Sequence, residues 1–203
     1  MSPVLPELPF TLEEFGPDGT WTYTDGVLTG RAGARQDRFV PPGGDTLEPA
    51  SDAPRLLGAV PEGDFRLTAR VTVGFEAAFD AGVLYLHVGE REWAKLCLEL
   101  SPERPTVCTV VTRGRSDDVN SFEVDGATCW LRLSRIGGAF AFHASADGEK
   151  WTFVRVFTLG TARERAAARA GFLVQSPTGE GCDVTFDHIS YRSGGPADLR
   201  DGS

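Results

Sequence analysis

The stretch FRLTARVTV, residues 65–73, decides the fold. Phe65, Leu67, Ala69, Val71 and Val73 occupy every second position, with Arg66, Thr68, Arg70 and Thr72 between them. A strict period of two belongs to a β-strand with one buried face and one wet face. Runs of the same character lie on both sides, at 21–24 and 27–31 before it and at 81–88, 92–100, 106–113, 128–135, 139–145, 151–159, 170–175 and 183–192 after it. Their connections carry turn residues: Asp25-Gly26, the SPERP run at 101–105, Gly137-Gly138, Asp147-Gly148 and the 177–181 stretch. Asp-Gly between strand-like runs marks a tight hairpin, because glycine accepts a positive φ at little cost. About ten strands joined in this way predict an all-β sandwich or barrel. Only 161–169 reads as helix, favoured by its alanines and ended by Gly171.

The remaining segments set the expected organisation. Residues 1–19, rich in Pro and Gly, read as an N-terminal extended segment along an edge. Residues 32–58, with PPGG at 41–44, read as a long loop, a kind of segment that is often functional. Residues 193–203 read as a flexible tail, which leaves 20–192 as a single domain. A chain of 203 residues with 41% hydrophobic and 24% charged residues suits one such domain.

The formal net charge of −9 argues against a nucleic-acid groove and against anionic membrane surfaces, both of which call for clustered Lys and Arg. No apolar run approaches the ~18 residues of a membrane span. The opening MSPVLPELPF has neither a basic n-region nor an apolar h-region, so a cytoplasmic location is expected. Cys97, Cys108, Cys129 and Cys182 sit in strand-like runs and form no C-x-x-C pair, consistent with reduced, buried thiols. His87, His143 and His188 have no metal-ligand spacing. Asp117, Asp118 and Asn120 lack the spacing of an EF-hand loop and read as a polar turn. No metal and no cofactor are expected.

The most informative strand for function is 93–100. Ala94, Leu96, Leu98 and Leu100 form its core face, and Trp93, Lys95, Cys97 and Glu99 form the other. An aromatic ring beside a lysine and a carboxylate makes a floor for a polar ligand. The alternative is a solvated outer face whose Lys–Glu pair is worth roughly 0–1 kcal/mol. Tyr85 and His87 lie opposite Leu84 and Leu86, and Gln175 lies opposite Phe172 and Val174, so these three join the candidate set. The five-residue turn at 101–105 leaves the register of the 92–113 hairpin open, and with it the side taken by Cys108, Val110 and Thr112. Nucleotide-loop, serine-hydrolase and zinc-protease motifs do not occur. Glycoside hydrolysis needs two carboxylates. The strand supplies Glu99, Asp117 is a candidate partner from a loop, and catalytic residues stay unassigned.

The runs AGVLYLHV, WAKLCLE, VVTRGRSDD, RLSRIGGAFAFHASADGEKW and GFLVQSPTGEG, in that order over roughly residues 20–192, resemble the regulation-of-enolase protein 1-like family, a domain of unknown function in the concanavalin A-like lectin/glucanase superfamily. The resemblance implies an antiparallel jelly-roll β-sandwich, concanavalin A-like, with a polar groove on its concave sheet. It places the family's W-x-K-x-x-x-E strand on Trp93, Lys95 and Glu99, its T-S-D segment on Thr112, Ser116 and Asp117, and its Q-S-P segment on Gln175, Ser176 and Pro177. A T-D-aromatic-W segment falls on Gln36-Asp37-Arg38-Phe39, with Gln in place of Thr. Asp118 stands where an aromatic is common.

Three functions are consistent with these readings: binding of a carbohydrate or other small polar ligand, carbohydrate-active hydrolase or lyase chemistry, and a protein-interaction role in regulating carbohydrate metabolism with a protein partner. Convergence of Tyr85, His87, Trp93, Lys95, Glu99 and Gln175 on one cavity would favour a ligand site.

Overall fold

The computed structural model describes residues 2–49 and 51–203, and among them it contains fourteen strands and one short helix. The first sheet contains β1 (Glu13–Phe15), β4 (Arg55–Ala59), β6 (Ala81–Gly89), β7 (Glu92–Leu100), β8 (Pro105–Arg113), β9 (Arg115–Glu123) and β13 (Arg169–Gln175), in the order β1-β4-β13-β6-β7-β8-β9. The second contains β2 (Thr20–Thr24), β3 (Val27–Gly33), β5 (Phe65–Val73), β10 (Thr128–Ile136), β11 (Ala139–Ser145), β12 (Thr152–Phe157) and β14 (Gly181–Ser193), in the order β12-β11-β10-β5-β14-β3-β2. Every pairing is antiparallel, and the two seven-stranded layers pack as the expected jelly-roll sandwich.

Strand β5 occupies the middle of its sheet, between β10 and β14. Its apolar positions, Phe65 through Val73, are buried in the inter-sheet core with Leu84 and Leu86 of β6, Leu96 and Leu98 of β7, and Phe172 of β13. Burying a Leu- or Phe-sized side chain is worth roughly 1.5–3 kcal/mol, so this layer is the main source of stability. Gly82 permits the close approach of the sheets. A Cβ there would lie 2.5 Å from Cγ1 of both Val71 and Val184.

Three strands depart from the expectation. β9 occupies 115–123, where Asp117, Asp118 and Asn120 read as a turn; it is an edge strand, and its residues are mostly exposed. β4 lies in the segment read as a loop and pairs with both β1 and β13. β1 borders the first sheet within the segment expected to run along an edge. The helix, α1 (Ala162–Ala166), is shorter than expected because β13 begins at Arg169. Thr161 and Glu164 close its first turn as a reciprocal capping box. The segment expected to be a flexible tail folds back over the second sheet. The Leu199 carbonyl lies 2.8 Å from Nε2 of His143, and the Gly202 carbonyl accepts from Arg132 at 2.6 Å.

Candidate functional site

The outer face of the first sheet is unusual for a solvent side. Ala81, Val83, Tyr85, Trp93, Cys97, Cys108, Val110 and Leu173 are buried there under a second apolar cluster that includes Val40, Ala53 and Phe39. The cover is formed by residues 34–49 and 51–53, and specific polar bonds hold it down. Arg38 donates from Nε to the Tyr85 hydroxyl at 2.8 Å and from Nη1 to Asp52 at 3.0 Å, and its guanidinium lies over Trp93 at 5.3 Å. Asp52 also pairs with Arg55. The Val40 amide donates to Ser116 Oγ at 2.9 Å, and the Ser116 amide donates to the Val40 carbonyl at 2.9 Å.

Where this cover stops, a groove of about 260 Å³ opens, lined in part by Asp37, Lys95, Glu99, Asp118 and Gln175, with Phe39 and Phe79 as apolar walls. The register of the hairpin accounts for its floor. Lys95 faces Val110 and Cys97 faces Cys108, so the polar face of β7 and the Cys108, Val110, Thr112 face of β8 lie on one side. Lys95 is only 2% exposed. Its ammonium donates to Asp37 Oδ1 at 3.2 Å and to Gln175 Oε1 at 2.9 Å. Gln175 Nε2 in turn donates to Glu99 Oε2 at 3.3 Å and to the Phe79 carbonyl at 3.2 Å. A continuous chain therefore runs Asp37–Lys95–Gln175–Glu99. Burial works against the charged ammonium, but the carboxylates of Asp37 and Glu99 more than offset it and hold Lys95 above its ordinary pKa. Burial pushes Glu99 the other way, up to about 7, although Lys95 opposes the shift. Asp118 is also raised, chiefly by burial.

Four of the residues expected from sequence meet at the groove: Lys95, Glu99, Gln175 and Asp37. The others do not line it. Trp93 and Tyr85, expected as an aromatic platform, stack on each other at 5.9 Å and are buried beneath Arg38; the exposed aromatic surface comes from Phe39 and Phe79 instead. His87 is half-buried away from the groove, and burial, together with the charges of Arg38, Arg55 and Arg169, pushes its pKa down to about 4. Thr112 is buried and shares a 2.9 Å hydrogen bond with Ser116, so it supports the cover. Asp117 points away. It faces Val111 across the β8–β9 pair, on the core side, and bridges to Arg155 at 3.2 Å. The groove acid on β9 is its neighbour Asp118, which faces Val110. Phe79 is a lining residue that sequence reasoning missed, while Phe39 and Asp118 entered through the family resemblance and not as groove contacts. The parity of β9 would have identified Asp118 had that segment been read as a strand.

Beside the groove, donor atoms of Cys97, Cys108 and Glu99 lie within 4.8 Å of one another. Two sulfurs and a carboxylate are the kind of set that suits Zn²⁺. Spacing gave no sign of it because the two cysteines meet only across the hairpin.

A family model described as "Protein of unknown function (DUF1349)" matches residues 15–194, most of the chain. The chain belongs to this family. The DUF1349 chain is 24% identical over 140 residues to "Regulation of enolase protein 1" of Saccharomyces cerevisiae, covering 68% of this chain and 69% of the relative. In structure it is similar to a functionally unknown protein from S. cerevisiae, with a TM-score of 0.77 at 20% identity, covering 91% of this chain and 97% of that one. The carbohydrate binding module CBM66 from Bacillus subtilis aligns with a TM-score of 0.56 at 13% identity, over 91% and 98% of the two chains. The GH43 protein BlXynB from Bacillus licheniformis aligns at 0.69 and 13%, over 86% of this chain but 35% of that one. These likenesses establish the concanavalin A-like jelly roll. No helix among the described residues is long and apolar enough to cross a membrane.

Proposed function

We propose that this DUF1349 domain binds a carbohydrate or another small polar ligand in the groove over β7 and β13, as a cytoplasmic protein. The observation that carries the reading is the chain Asp37–Lys95–Gln175–Glu99 beside Phe39 and Phe79. Charged and amide groups at fixed separation can exchange hydrogen bonds with ring hydroxyls, while an aromatic edge packs against the apolar side of a sugar. The volume of about 260 Å³ is small against the ~300–1,000 Å³ typical of ligand pockets, which favours a ligand of one or two rings. A carbohydrate binding module among the structural neighbours is in keeping with this reading.

Calorimetric titration with neutral sugars and sugar phosphates tests it. Saturable binding that Gln175→Ala weakens is expected. A folded protein that binds none of them at millimolar concentration would contradict it.

A hydrolase or lyase reading draws on one specific observation: Glu99, pushed up to about 7, and Asp118 line the same groove. A carboxyl near neutrality can donate or accept a proton at working pH, and a second carboxyl could act opposite it. Turnover of a sugar substrate that Glu99→Gln abolishes while binding persists would select this reading over simple binding.

A further inference from the structure

The second sheet carries a separate polar pocket on its outer face. Arg66 and Arg192 are direct partners across the β5–β14 pair, and Arg132 lies on β10, the other neighbour of β5. All three line one pocket of about 240 Å³, together with Thr68 and Ser190, and Trp130 and Trp151 form part of its wall. Among the described residues, none of these guanidiniums pairs with a carboxylate, whereas their neighbour Arg70 is paired with Asp187 at 2.6 Å. Like charges placed directly opposite each other on a sheet repel. In a chain of net charge −9, three such groups sharing one pocket without a counter-charge call for an explanation.

Two further observations concern the same part of the sheet. Nε of Arg66 and Oγ of its cross-strand partner Ser134 are both buried without a hydrogen-bond partner. Arg132 is held in a fixed pose. Its Nε donates to Thr68 Oγ1 at 3.3 Å, its Nη1 donates to the Gly202 carbonyl at 2.6 Å, and its Cζ lies 3.5 Å from the centre of the Trp151 ring. Burial, with the charges of Arg66 and Arg192, lowers the Arg132 pKa to about 10, the direction expected where cations crowd without an anion.

We propose that Arg66, Arg132 and Arg192 form a binding site for a dianionic tetrahedral oxyanion, a phosphate or sulfate group, either free or carried by a small molecule that rests against Trp151. Guanidiniums match such oxygens through paired N–H donors, and the two hydroxyls at Thr68 and Ser190 add neutral ones. The site is on the opposite sheet from the groove and shares no residue with it, so either can fail alone.

Inorganic phosphate and inorganic sulfate are the probes, titrated by calorimetry and by thermal shift against sodium chloride at matched ionic strength. Saturable one-to-one binding of phosphate, displaced by sulfate, is expected, together with a rise in melting temperature that chloride does not give. Arg192→Ala and Arg66→Gln should each weaken it roughly tenfold to a hundredfold, the loss of one charge-assisted hydrogen-bonding group, while Arg104→Ala on the other sheet leaves it unchanged. Without anion, Arg192→Ala should melt no lower than the parent, because it removes repulsion. Equal effects of phosphate and chloride on the parent protein, or undiminished phosphate binding by the Arg66→Gln/Arg192→Ala double variant, would overturn the proposal.

Discussion

The pair Lys95–Asp37 allows a prediction in which the order of effects matters more than their size. The Lys95 side chain is 2% exposed and that of Asp37 is 23% exposed, at 3.2 Å. At an effective dielectric constant of ~20, the gross attraction at that distance is about 5 kcal/mol, most of it spent on desolvating the ammonium. Asp37→Asn removes the buried cation's hydrogen-bonded counter-charge and leaves only the more distant Glu99. The general cost of orphaning a buried charge is ~3–5 kcal/mol. The lower end applies here, because Asn keeps an accepting oxygen and Gln175 still accepts at 2.9 Å. Lys95→Met leaves a carboxylate that reaches solvent and still accepts the Arg38 amide at 2.7 Å. It should cost only about 1–2 kcal/mol, mainly the lost bond to Gln175. At roughly 2–4 °C per kcal/mol for a domain of this size, Asp37→Asn should lower the melting temperature by roughly 6–12 °C and Lys95→Met by less. The double variant should be no less stable than Asp37→Asn alone, because the orphaned charge is gone. Urea denaturation of the four proteins at pH 7 measures the cycle. Lys95→Met costing as much as Asp37→Asn, or strict additivity of the two, would refute the picture of a buried cation held chiefly by the Asp37 carboxylate.

Other predictions follow from the same geometry. Glu99 is pushed up to about 7 from 4.5 by burial, so the folded state holds a proton that the unfolded chain has lost. Its contribution is fully favourable below pH 4.5 and is lost as pH rises through 7. Measured against Glu99→Gln, the parent should therefore lose up to about 3 kcal/mol of stability between those limits, and a pH-independent difference between the two would contradict this. Arg38→Ala removes the cover's main bolt and leaves the buried Tyr85 hydroxyl unpaired. A loss of ~1–3 kcal/mol and faster proteolysis within 34–53 are expected, and unchanged cleavage would show that the cover is held elsewhere. Gly82→Ala forces a methyl within 2.5 Å of Val71 and Val184. It should cost about 1–3 kcal/mol, and Val71→Ala should cost less in its presence than in the parent, as chemical denaturation of the four proteins would show.

The legible and illegible parts of this molecule differ for physical reasons. Strand β5 declared itself because one of its faces is buried and the other is wet. Strand β7 also alternates, although its second face is largely covered, and Lys95 and Glu99 share the face that its alternation assigns them. Strand β9 was hidden because it lies at an edge, so its sequence, RSDDVNSFE, is polar nearly throughout and resembles a turn. Strand β4 is a run of five residues behind several prolines, buried at its first four positions, and has no alternation to display. The aromatic platform was assigned to Trp93 and Tyr85 because strand periodicity cannot foresee that a distant segment will lie across them. The same segment brings in Asp37, whose part in the site came from the family resemblance rather than from any local pattern. The β8–β9 register then makes Asp118, opposite Val110, and not Asp117, opposite Val111, the acid on the groove side.

The central claim is that the groove floored by Lys95, Glu99 and Gln175 is where this domain meets its ligand. Heteronuclear NMR of the labelled protein, titrated with xylose and glucose, tests it most directly. Saturable shifts confined to the Gln175 side-chain amide, the Lys95 and Glu99 backbone amides and the Phe39 and Phe79 signals are expected. Shifts that spare this set and gather elsewhere on the sandwich, or none at millimolar sugar, would contradict it.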